Sequence, residues 1–155
     1  MTLCEILEQN AHDEKIWIIP YDLGDRLKGL YCDGTIALNK DINTQAERTC
    51  VLAEELGHHY TTTGNILDQS RAENRKQEMH ARLYGYNRLI GLQGIIRAYH
   101  HRCQSLAEMA EYLGVTEEYL KEALELYRQK YGTGVEVDNY IVIFEPRLAV
   151  VEKIS

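Results

Sequence analysis

At 155 residues the chain can form one compact domain with a real core, or a domain with a small lobe beside it. Its 45% hydrophobic and 26% charged residues are ordinary for a soluble globular protein, and a net charge of −7 argues against unspecific nucleic-acid binding by the chain as a whole. No apolar run approaches the ~18 residues of a membrane span, Met1-Thr2-Leu3-Cys4-Glu5 turns polar where a secretory leader would not, and Cys4, Cys32, Cys50 and Cys103 form no Cys-x-x-Cys pair, so a cytoplasmic protein with free thiols is expected.

Helical spacing begins at Leu3 and runs to about Asn10, with Leu3, Ile6 and Leu7 on one side. Lys15-Ile16-Trp17-Ile18-Ile19 reads as a short strand closed by Pro20. Asp33-Gly34 between the apolar runs 29–32 and 35–38 predicts a hairpin. Asn43 or Thr44 can cap the next helix, with Glu47 three or four residues on, and that helix should reach about Tyr60 before Thr61-Thr62-Thr63-Gly64-Asn65 breaks it. A second long helix fits Gln69–Ile90, and Gly91 and Gly94 then interrupt. Further helices are expected at about Ile95–Arg102, Leu106–Leu113 and Glu117–Tyr131, the last two split by Gly114-Val115-Thr116. Gly132-Thr133-Gly134 ends the helical part, and Tyr140–Phe144 and Leu148–Val151 read as strands around Pro146. The class is α+β. A small N-terminal sheet and two long helices make a core over 1–92, and a helical lobe with C-terminal strands follows over 93–155 as part of the same compact body. Charge is uneven: residues 71–102 carry seven Lys/Arg against two Asp/Glu, whereas residues before 71 carry five against twelve. A solvated basic helix face is the simplest reading.

The most informative stretch is Ala53-Glu54-Glu55-Leu56-Gly57-His58-His59-Tyr60. It is one substitution away from H-E-x-x-H, in which two ligands four apart on one helix face hold zinc and the intervening Glu acts as base. Here Glu54 stands at the first ligand position, Glu55 keeps the base position and His58 the second ligand. At about 100° per residue, Glu54 and His58 lie roughly 40° apart and Glu55 about 60° from His58. His59 falls about 140° from Glu54, on the side of Leu52 and Leu56, and reads as a packed or supporting histidine. Gly57 lowers helix stability by roughly 1 kcal/mol relative to Ala, which a close approach of another backbone or of substrate would explain. By itself the pattern is also what an ordinary amphipathic helix with two Glu on its wet side would show.

A metallopeptidase centre needs a third protein ligand and an open position. Asp68, Glu73, Glu78 and His80 are the candidates on the second long helix and its approach. Glu78, twenty positions after His58, gives the arrangement in which a carboxylate on the following helix completes the set. Leu52-Ala53-Glu54-Glu55-Leu56-Gly57-His58-His59-Tyr60, taken with Glu78, Ala81, Tyr84 and Gly85 in the spacing E-x-x-A-x-x-aromatic-small, resembles the ImmA/IrrE family of metallopeptidases. It is similar above all to the short phage and mobile-element members, which often carry Glu-Glu-Leu-Gly-His. The likeness extends over about residues 15–150.

The resemblance implies a zincin-like fold and a metal held by Glu54, His58 and Glu78, with Glu55 as general base. It also implies site-specific cleavage of a protein partner, typically a helix-turn-helix repressor of a phage or mobile element. The departure is Glu54, where better-studied members have His. Two carboxylates and one imidazole formally neutralise a divalent ion, acidify its water less, and tilt the preference from Zn²⁺ toward Mn²⁺ or Fe²⁺.

Two other functions are compatible with parts of the chain. A zincin fold without activity would act as an interaction module, an anti-repressor by binding. Leu106–Leu120 has helix-turn-helix spacing, but the would-be recognition helix opens Thr116-Glu117-Glu118 and adds Glu122 and Glu125, an acidic face toward phosphates, so direct nucleic-acid binding is not expected. His100-His101 point about 100° apart and cannot easily share an ion, and Tyr60, Tyr84 and Tyr86 are candidate oxyanion donors.

Overall fold

A computed structural model describes residues 1–61 and 71–154, apart from the side chains of 71–73. Among these the element order is α1 (Leu3–Asp13), β1 (Trp17–Tyr21), β2 (Gly29–Cys32), β3 (Thr35–Asn39), α2 (Gln45–Thr61), α3 (Arg71–Leu89), α4 (Gly91–His100), α5 (Leu106–Leu113), α6 (Glu117–Tyr131), β4 (Gly134–Val137), β5 (Tyr140–Ile143) and β6 (Ala149–Glu152). The class is α+β, as expected. The helix break expected at 62–65 and the start expected at Gln69 lie outside the described residues. Two compact units form, Met1–Gly85 and Tyr86–Ser155.

In the first unit the sheet order is β1-β3-β2. The Asp33-Gly34 hairpin forms as expected, with β2 antiparallel to β3 and both turn residues at positive φ. β1 joins the other edge of β3 in parallel register. Pro20 does not close β1 but sits inside it, tolerated because an edge strand leaves one row of backbone groups unpaired. One face of the sheet is buried against α1 and α2 through Ile36 and Leu38 of β3, Leu7 and Ala11 of α1, and Leu52 and Leu56 of α2. Thr2 and Glu5 form a capping box on α1, and the Arg48 guanidinium on α2 reaches Glu8 on α1 at 2.9 Å.

The second unit begins within α3. Gly91, at φ 63°, ends α3 and starts α4, but Gly94 lies inside α4 against Leu113 and does not interrupt it. α5 and α6 take the expected bounds. The Ser105 and Thr116 hydroxyls each accept a hydrogen bond from the first turn of their helix, and Gly114 closes α5 in the left-handed region. The C-terminal strands form a three-stranded meander in the order β4-β5-β6. β4 starts at Gly134, where the sequence reads only as a helix stop. Tyr127, fully buried, donates its hydroxyl to Asn87 Oδ1 at 2.9 Å. No described helix is long and apolar enough to cross a membrane.

Candidate metal centre

The Thr44 hydroxyl accepts the Glu47 N–H at 3.1 Å and so caps α2. Thr49, Cys50, Leu52, Ala53, Leu56 and Gly57 are buried along α2, which turns Glu54 and His58 together onto a flank of the helix and leaves both partly accessible. α3 crosses close by. A Cβ on Gly57 would lie 2.2 Å from the Ala81 carbonyl oxygen, so the two backbones touch where only glycine fits. Of the two readings of Gly57, the near backbone is the one realised.

Glu78 stands three residues before Ala81, and this contact fixes its height against α2. One donor atom each from Glu54, His58 and Glu78 lies within 4.8 Å of the others, the one grouping of its kind among the described residues. His58 Nε2 is 3.4 Å from Glu78 Oε2. Two donors held about 2.1 Å from one tetrahedral ion are themselves about 3.4 Å apart, so the spacing and the N/O donor set both fit a divalent cation.

Glu55 is outside this group of three and is nearly buried, at 8% exposure. Gly29 makes room for it: a Cβ there would meet Val51 at 2.6 Å and the Glu55 side chain at 3.0 Å. Burial first, then the charges of Glu54 and Glu78, push the Glu55 carboxyl up to about 7, while the backbone N–H of Tyr31 draws it down. The Glu54 carboxyl is also raised, mainly by burial, against the pull of the Arg82 guanidinium.

The sign of this shift gives a pH dependence. With a folded value near 7 above an ordinary carboxyl value of 4.5, Glu55 favours the fold while protonated, and that contribution is lost as pH rises from about 4.5 through about 7. In chelator-treated protein, Glu55→Gln should therefore gain stability over wild type as pH rises, by about 3 kcal/mol between pH 4.5 and pH 8. Urea unfolding at both pH values measures it. A difference that does not change with pH would show that burial does not raise this carboxyl.

His59 is turned out of the three-donor group. Its Nδ1 lies 2.7 Å from the Tyr31 hydroxyl, which also accepts the Gly34 N–H at 3.1 Å. Tyr31 thus touches the centre twice, at Glu55 through its backbone and at His59 through its ring oxygen. His80 is exposed and outside the group, Asp68 lies outside the described residues, and the Glu73 side chain is not described. His100 bonds the Tyr140 hydroxyl at 2.7 Å and His101 stacks on Tyr112, so the pair at 100–101 is spent on aromatic neighbours. The Tyr86 hydroxyl goes to Glu122 at 3.3 Å, and the rings of Tyr60 and Tyr84 pack on each other at 5.2 Å.

Sequence reasoning missed Gly29, Tyr31 and Arg82. Gly29 carried a usable signal, since a glycine opening a strand often marks a close approach. Arg82, four residues after Glu78, could have been read as an ion-pair partner on the same face. Nothing local pointed to Tyr31.

No curated protein matches the chain. The family model Peptidase_M78, the IrrE N-terminal-like domain, matches residues 6–125. That span includes both helices that bring Glu54, His58 and Glu78 together and most of the chain, and the chain therefore belongs to the Peptidase_M78 family of metal-dependent peptidases.

Proposed function

We propose that the chain is a metal-dependent endopeptidase that cleaves a partner protein at one site, the partner being a helix-turn-helix repressor of a phage or mobile element, in the cytoplasm. The observation that carries this reading is the meeting of Glu54, His58 and Glu78 beside a buried carboxyl, Glu55. Glu54, His58 and Glu78 would hold the ion, Zn²⁺ or alternatively Mn²⁺ or Fe²⁺. When bound, a divalent ion polarises the scissile carbonyl and makes water a stronger acid.

Glu55 does the proton work. Its carboxylate takes a proton from the attacking water and passes it to the departing amine. A carboxyl near 7 is matched to that task at neutral pH, and the Tyr31 N–H holds it in one orientation. The leaving amine is thereby expelled neutral, and Glu55 returns to its starting state. The acidic first turn of α6, with Glu117 and Glu118, suits a protein contact better than a DNA contact.

Co-expression with a candidate repressor, followed by mass spectrometry of the repressor, tests the cleavage. A shortened repressor with wild type and an intact one with His58→Ala is the expected result. Elemental analysis of the two proteins should show about one equivalent of metal in wild type and much less in His58→Ala. Acid should release the metal, because coordination needs a neutral imidazole and ionised carboxylates. Metal in the wild type with no cleavage of any neighbouring repressor would favour the anti-repressor module acting by binding alone.

A further inference from the structure

Among the described residues, Arg82 is the one cation placed against the three donors. It follows Glu78 by one helical turn on α3. Its Nε lies 3.5 Å from Glu54 Oε1 and 3.9 Å from Glu78 Oε1. A guanidinium has no lone pair to offer and stays charged at any working pH, so Arg82 cannot be a ligand. At 53% exposure its ion pairs are also too screened to be a device for stability. Its effect is on charge. With an imidazole at position 54 the donor set would carry one negative charge; with Glu54 it carries two, and Glu55 stands next to them. Arg82 supplies the single positive charge that the extra carboxylate calls for, and it faces that carboxylate more closely than Glu78.

We propose that Arg82 is the built-in counter-cation of Glu54: it holds the two carboxylates together when no ion is bound, gives way to an entering divalent ion, and so sets how tightly the centre binds metal. The proposal rests on the reading of Glu54, His58 and Glu78 as metal ligands. Removing the charge should tighten binding. A unit charge some 5 Å from a divalent ion in a largely aqueous surround changes affinity about tenfold at low salt.

Calorimetric titration of the chelator-treated full chain with Mn²⁺ at low salt measures this, for wild type, Arg82→Gln, Arg82→Lys and His58→Ala. Arg82→Gln should bind about tenfold more tightly, Arg82→Lys close to wild type, and the gap should narrow at about 0.5 M salt. In a Glu54→His background, Arg82→Gln should still tighten binding, because the guanidinium repels the ion directly, but by less than in wild type, since no Glu54–Arg82 pair then has to open.

Equal or weaker binding by Arg82→Gln, with His58→Ala still deficient, would overturn the role of Arg82 and leave the metal centre standing. A tighter Arg82→Lys equal to Arg82→Gln would show that shape and not charge governs, and would also overturn it. Binding unaffected by His58→Ala would remove the metal centre itself and the inference with it.

Discussion

Replacing Glu55 by Gln should abolish peptide cleavage while leaving the metal in place. The amide is nearly isosteric with the carboxylate and can still accept the Tyr31 N–H at its oxygen, so the fold around Gly29 and β2 is kept. It cannot take a proton from water at neutral pH. General-base losses run on the order of 10²–10⁴-fold, and the buried setting, with no other carboxylate among the described residues free to substitute, places the expected loss in the upper half of that range. Among the described residues Glu54 and Glu78 are the carboxylates that interact with it, and both are committed to the ion in the proposed mechanism.

The repressor co-expression assay checks it, together with metal analysis of the variant. Repressor cleavage at the wild-type rate by Glu55→Gln would show that Glu55 is not the base. Loss of cleavage together with loss of metal would instead place Glu55 among the groups that hold the ion.

Gly57→Ala should be the most damaging methyl at any described glycine of the first unit. In an exposed helix the change would add about 1 kcal/mol of stability. Here the added carbon would lie 2.2 Å from the Ala81 carbonyl oxygen and 2.9 Å from its carbon, both backbone atoms that cannot swing aside. α3 has to move off α2, and overpacking of this kind typically costs about 1–3 kcal/mol. Metal affinity should suffer too. Glu78 is three residues from Ala81 and would be carried away from Glu54 and His58, whereas coordination distances tolerate shifts of only about 0.2 Å.

Urea unfolding and metal titration of the variant measure both effects. Unchanged or increased stability would mean that the two helices do not meet at this point. Gly29→Ala offers a contrast. Its methyl would meet the side chains of Val51 and Glu55, which can yield, so it should disturb Glu55 more than Glu54, His58 and Glu78.

Local pattern was enough for much of this molecule. α5 and α6 could be bounded to the residue, because Ser105, Thr116 and Gly114 are capping chemistry that acts within one turn. The Asp33-Gly34 hairpin was legible for the same reason. Glu54 and His58 could be put on one face because a 3.6-residue period fixes their angle before any tertiary contact forms.

The rest depended on groups far apart in sequence. The parallel pairing of β1 with β3 has no turn to announce it. Glu78 and His80 are both on α3, and only the packing of Gly57 on Ala81 decides that the carboxylate meets His58 while the imidazole faces water. The Tyr31 contacts with Glu55 and His59 join β2 to α2 across more than twenty residues. Such contacts follow from which surfaces can be buried together at least cost, and that is a property of the folded unit and not of any window of the chain.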